Sequence, residues 1–83
     1  MERIYVKKFN MRYIKDSYEL GINLKKVREK AELTQNRVSN AINLNRSCLA
    51  YYELGKTTPT IFTLLKLAKI YNVDLLDLLM IKK

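Results

Sequence analysis

Thr34-Gln35-Asn36-Arg37-Val38-Ser39-Asn40-Ala41-Ile42-Asn43-Leu44-Asn45-Arg46-Ser47-Cys48-Leu49-Ala50-Tyr51-Tyr52-Glu53 is the stretch on which the fold turns. The Thr34 hydroxyl suits an N-cap, where it accepts from an otherwise unpaired amide, and Val38, Ala41 and Ile42 then fall on the inward face of a short helix. Arg37 stands where a Glu or Gln would complete a capping box. Ala41 to Asn45 reads as a tight turn, because Asn43 tolerates left-handed backbone and Asn45 is a good cap for a second helix. That helix, from Arg46 to Glu53, places Leu49 and Tyr52 on one face and Arg46, Ser47, Ala50 and Tyr51 on the other.

The flanks extend the pattern. Upstream, Asp16 or Ser17 can cap a helix whose apolar stripe is Leu20, Leu24, Val27 and Ala31, with lysines and Arg28 beside it. Downstream, Gly55 suits a left-handed helix ending, and Pro59 leads into a helix capped by Thr60 with Ile61, Leu64, Leu67, Ala68 and Tyr71 inward and Asn72 at its end. Asp74 begins a last turn that adds Leu75, Leu78 and Leu79 to the core. Gly21, Gly55 and Pro59 are the only Gly and Pro residues, which favours helices joined by short turns. The expectation is an all-α domain of five helices over residues 16–83. It is preceded by a basic and aromatic extension, residues 1–15, in which residues 3–9 read as a short strand ending near Asn10.

Composition narrows the function. A chain of 83 residues makes one small domain that buries only ~60% of its unfolded surface. Its net charge of +8 attracts polyanions. Half of that excess lies in residues 1–15, where Arg3, Lys7, Lys8, Arg12 and Lys15 face only Glu2, whereas residues 31–60 are nearly balanced. With no histidine and one cysteine, neither a nucleophile-base pair nor a zinc cluster can be assembled, so no catalytic residue, metal or cofactor is expected. Cys48 excludes an intramolecular disulfide and is read as a small half-buried spacer. No stretch resembles a secretory or membrane-spanning segment, so a cytoplasmic protein without membrane contact is expected.

From Leu20 to Leu79 the spacing resembles the phage-repressor and Cro family of helix-turn-helix regulators, also called the xenobiotic-response-element family. The resemblance rests on Leu33-Thr34-Gln35, Ala41-Ile42-Asn43-Leu44, Asn45-Arg46-Ser47 and Tyr52-Glu53-Leu54-Gly55-Lys56 followed by Pro59, in that order. It implies a lambda-repressor-like fold that binds double-stranded DNA. It further implies that Gln35 touches phosphate and orients the reading helix, that Asn45, Arg46, Ser47, Ala50 and Tyr51 face the bases or their sugar-phosphate frame, and that Lys56 contacts the opposite backbone. Arg28 and Glu53 match a pair that bridges the first and third helices. Asn43 replaces a frequent turn glycine, Ser39 a frequent packed alanine and Leu54 a frequent polar residue.

The side-chain chemistry agrees with these roles. Arg46, near a helix N-terminus, offers a planar fork able to donate twice to guanine O6 and N7. Ser47 can donate or accept, and Ala50 is small enough to admit the helix closely or to meet a thymine methyl. Tyr51 has two readings, a ring against a thymine methyl or a hydroxyl on phosphate, beside a purely covering role.

Phe62, Leu65, Leu76 and Ile81 exceed what the inward stripe needs, and surplus apolar surface on a small protein marks a partner site. The resemblance implies a homodimer through this region, with half-sites ~34–36 Å apart. The extension is a strand for a partner subunit, a basic arm for DNA, or a flap in which Tyr5, Phe9 and Tyr13 pack on the core. The expected function is a transcriptional repressor acting by promoter occupancy, since so short a chain leaves no room for an effector domain. The alternatives are an antitoxin or accessory subunit with a protein partner, a structured-RNA binder, and an interaction module that reads no DNA.

Overall fold

The computed structural model describes residues 11–82. Strand β1 (Met11–Tyr13) leads into helices α1 (Ser17–Lys30), α2 (Gln35–Ala41), α3 (Arg46–Leu54), α4 (Ile61–Tyr71) and α5 (Leu75–Leu79), and the described chain closes with β2 (Met80–Lys82). The five expected helices are all present. Four begin at the expected capping residues: Asp16 accepts from the Glu19 amide, Thr34 from Arg37, Asn45 from Ser47 and Thr60 from Thr63. Asp74 starts α5, its own amide donating to Asp77 Oδ2 at 3.0 Å. Gly55 at φ 76°, Asn72 at φ 58° and Asn43 at φ 55° take the left-handed conformations their positions demand.

Leu20, Leu24, Val38, Leu49, Leu64, Leu67 and Leu78 form the buried centre, with Tyr52, Ala68 and Tyr71 around them. Two residues expected inside lie outside. Ala41 ends α2 exposed, and Ile61 keeps 48% of its surface because the first turn of α4 projects past the core. Helix α1 crosses α3 closely at Gly21, where a Cβ would stand 2.5 Å from the Tyr52 carbonyl oxygen and 2.6 Å from that of Glu53.

The strand expected over residues 3–9 lies outside the described residues. The strand that is described begins at Met11 and pairs antiparallel with β2 in the register Met11 to Lys82, Arg12 to Ile81 and Tyr13 to Met80. Ile81 thus lies in a strand. Of the three flap residues, Tyr13 is 65% exposed and does not pack on the core, and Tyr5 and Phe9 lie outside the described residues. The buried Asn23 fastens this corner: its Nδ2 donates to the carbonyls of Leu78 at 2.8 Å and Asp77 at 3.0 Å at the end of α5. Among the described residues no helix is long and apolar enough to cross a membrane.

Arg12 ties β1 to α1, donating to Glu19 Oε1 at 2.9 Å and Oε2 at 2.7 Å. The arginine's hydrogen bonds hold the Glu19 carboxyl down at about 2, below the ordinary carboxylate range. A lowered acid contributes stability only where it is ionised, so this tie is intact above the ordinary carboxylate range and is lost as pH falls through about 2. An NMR titration should place the Glu19 midpoint there, and Arg12→Ala should return it toward the ordinary value. An unchanged midpoint in that variant would remove Arg12 as the cause.

Candidate nucleic-acid interface

Helices α2 and α3 are joined by a turn that Asn43 makes possible, closed by the Leu44 amide donating to the Ser39 carbonyl at 2.7 Å. Val38 and Ser39 on one side and Leu49 and Tyr52 on the other are buried, so the inner faces of the two helices are locked to the core. The outer face of α3 presents Arg46, Ser47 and Tyr51 exposed and Ala50 partly so. The expected separation of faces therefore holds.

At the start of α3, Asn45 Oδ1 accepts both the Ser47 amide at 3.0 Å and the Ser47 hydroxyl at 3.1 Å. Asn45 is thus first a capping residue, which leaves its amide nitrogen as the group turned to other use. The Ser47 hydroxyl donates its proton inward and presents lone pairs outward. Arg46 stands exposed in the first turn.

Three side chains set the angle of this helix. Arg28 of α1 donates from Nε to Glu53 Oε2 at 2.7 Å and from Nη2 to Oε1 at 3.0 Å, and its Nη1 reaches the Leu33 carbonyl at 2.8 Å. The Glu53 side chain is only 2% exposed and that of Arg28 10%. The hydrogen bonds to Glu53 push the Arg28 guanidinium still higher in pKa, so the arginine's charge persists. Gln35 Nε2 donates to the same Glu53 Oε1 at 2.9 Å, binding the first residue of α2 into the pair. The expected bridge between first and third helices is present, and it has a third member. Gln35 is thereby tied to α3 through a buried carboxylate, a contact that spacing alone does not reveal.

The C-terminal end of α3 closes with the Gly55 amide on the Tyr52 carbonyl at 3.1 Å and the Lys56 amide on the Tyr51 carbonyl at 3.0 Å. This paired ending folds the chain back over the last turn. Lys56 consequently sets its Nζ 5.4 Å from the centre of the Tyr51 ring. The Ser17 and Thr58 hydroxyls are hydrogen-bonded, pinning the following loop to the start of α1. Leu54 points outward, 59% exposed, and Cys48 is half-buried against the core.

Elsewhere on the surface Phe62 is 73% exposed, Leu65 47% and Leu76 42%, whereas Ile81 is half-buried in β2. Three of the four surplus apolar residues are thus exposed, Phe62 and Leu65 on α4 and Leu76 on α5, and Ile81 is not. Tyr71, on the inner side of α4, buries a hydroxyl that has no hydrogen-bond partner among the described residues, and burial pushes its phenol up in pKa.

Comparison with known proteins sets this geometry in context. The helix-turn-helix family HTH_3 matches residues 24–78. The chain is similar to the HTH-type transcriptional regulator ImmR of Bacillus subtilis (strain 168), 41% identical over 55 residues, which is 66% of this chain and 43% of ImmR. It is also similar to YqaE of the same organism, described as an uncharacterized HTH-type transcriptional regulator, 37% identical over 53 residues, 64% of this chain and 46% of YqaE. The chain thus spans less than half the length of these relatives. Among solved structures, the restriction-modification controller protein C.AhdI from Aeromonas hydrophila shares the fold, with a TM-score of 0.71 at 24% identity over 75% of this chain and 94% of that one.

Proposed function

This chain belongs to the HTH_3 helix-turn-helix family of transcriptional regulators, and from that premise we propose that it is a repressor that binds as a homodimer to a palindromic operator. One observation carries the reading: α3 is held by the buried Arg28 and Glu53 pair and the half-buried Gln35, with Arg46, Ser47, Ala50 and Tyr51 on its outward face. Arg46 reads a guanine through its fork, Ser47 and Ala50 set how closely the helix approaches, and Asn45, Gln35 and Lys56 bind the sugar-phosphate frame. Because the unit from Thr34 to Glu53 carries little net charge, counterion release must come from the basic remainder of the chain and from a second copy.

The exposed Phe62, Leu65 and Leu76 favour that second copy, with Ile81 at their margin. A two-fold pair would present two reading helices to successive turns of the major groove. The same apolar face supports the other reading, a subunit that binds its own promoter and also holds a partner protein. Sedimentation of the chain alone separates them, a dimer supporting the first and a monomer with and without DNA removing it.

The deciding experiment is selection of bound duplexes from a random pool by the parent and by Arg46→Ala. The parent should enrich a two-fold symmetric site, and Arg46→Ala should relax one position in each half, a loss of ~1–3 kcal/mol of discrimination. A uniform weakening across all sequences would make Arg46 a phosphate ligand. Enrichment of no motif would overturn the regulator reading itself.

A further inference from the structure

We infer that Tyr51 reads no base but acts through Lys56, its ring serving as the platform that holds the lysine ammonium at a phosphate. The inference rests on the DNA-binding reading above and divides the reading helix into two parts. Tyr51 is a positioning residue at the helix end, and discrimination is confined to Arg46, Ser47 and Ala50 in the first turns.

The geometry follows from the way α3 ends. Gly55, at φ 76°, reverses the chain, and the Lys56 amide bonds back to the carbonyl of Tyr51 itself. That bond fixes the Lys56 backbone over the last turn, so its side chain runs along the tyrosine. The ammonium comes to rest 5.4 Å from the ring centre, inside the distance at which a ring quadrupole attracts a cation. The ammonium occupies one face of the ring, so that face is closed to a thymine methyl. The ammonium keeps donors for a phosphate oxygen, since attraction to a π face uses the charge without accepting a classical N–H bond from each proton.

Position 54 adds a reason for the arrangement. Leu54, exposed at the same helix end, offers no hydrogen-bond donor or acceptor, so the loop's hold on phosphate falls on backbone amides, Thr57 and Lys56. A free lysine loses much rotamer freedom when it is immobilised, and a ring that already holds it reduces that loss. The pair therefore offsets part of what the apolar residue gives up.

The test measures DNA affinity over a range of salt for the parent, Tyr51→Phe, Tyr51→Leu, Lys56→Ala and Tyr51→Leu with Lys56→Ala, using the selected duplex. Tyr51→Phe should bind like the parent, Tyr51→Leu should weaken binding about two- to five-fold for each bound subunit, and the double variant should be no weaker than Lys56→Ala. Lys56→Ala should lower the salt slope by about 0.9 for each bound subunit, the value of one phosphate contact. Repeating the selection with Tyr51→Leu should return the parent's motif. A changed base at any position, or a double variant that shows the product of the two single losses, overturns the inference. The free protein gives an independent readout: the Lys56 ε-methylene protons should be shifted upfield by the ring in the parent and in Tyr51→Phe, and not in Tyr51→Leu. Unshifted protons in the parent overturn the stacking alone, whereas a parent that binds no duplex overturns the regulator reading and leaves the stacking result standing.

Discussion

Arg28→Ala should destabilise the domain by about 3–5 kcal/mol, because it strands the Glu53 carboxylate in a site from which water is excluded. The Glu53 side chain is 2% exposed and, among the described residues, would keep only the Gln35 amide as a hydrogen-bond partner. The Leu33 carbonyl would lose its guanidinium donor as well. Domains of this size have a total stability of about 4–12 kcal/mol, so the substitution removes a large share of it. Urea unfolding of parent and variant measures the difference. Replacing both partners, Arg28→Met with Glu53→Leu, should recover most of the loss, since a buried charge pair contributes little net stability over apolar side chains of similar volume. The recovered protein should nevertheless bind DNA more weakly, because Gln35 no longer has a carboxylate to hold it. A double variant as unstable as Arg28→Ala would show that packing, rather than an uncompensated charge, causes the damage.

Gly21→Ala is the second large effect, and it arises from backbone meeting backbone. The new methyl would lie 2.5 Å from the Tyr52 carbonyl oxygen and 2.6 Å from that of Glu53, both in α3. Overpacking costs about 1–3 kcal/mol where side chains can yield, and carbonyls fixed in a helix cannot swing aside, so a loss of about 3 kcal/mol is expected. The better helix propensity of alanine returns only about 1 kcal/mol at an exposed site and does not offset the collision. Relief requires α1 and α3 to move apart, which also displaces Glu53 from Arg28. The variant should therefore unfold at lower urea and bind DNA more weakly even where it is folded. Melting at or above the parent temperature would mean that the crossing is looser than its geometry indicates.

Much of this arrangement could be read from residue order because the signals were local. Thr34, Asn45 and Thr60 reveal helix starts by their own hydroxyl or amide chemistry, and Gly55, Asn43 and Asn72 reveal reversals by their tolerance of left-handed backbone. Glu32 adopts φ 60° without any such preference, so nothing in its identity announced it. The Arg28 and Glu53 bridge was legible only through the family resemblance, being 25 positions apart in the chain. Asn23 carries a signal of its own: a short amide three residues after Leu20 and one before Leu24, inside an apolar stripe, must find buried partners. The β2 strand was hidden because Leu78, Leu79, Met80 and Ile81 continue an apolar run that suits a helix as well as a strand. Its pairing with residues at the far end of the chain leaves no mark on local pattern.

That distant pairing has a kinetic consequence. The contacts among α1 to α4 close over short loops, while the ladder from Met11 to Lys82 must wait until the chain between has been gathered. Two three-residue strands hold little on their own, so their amides should exchange with solvent far sooner than those of the Leu24 or Leu49 turns. The strands are then the last part to assemble and the first to open, and the recognition unit outlives each such opening.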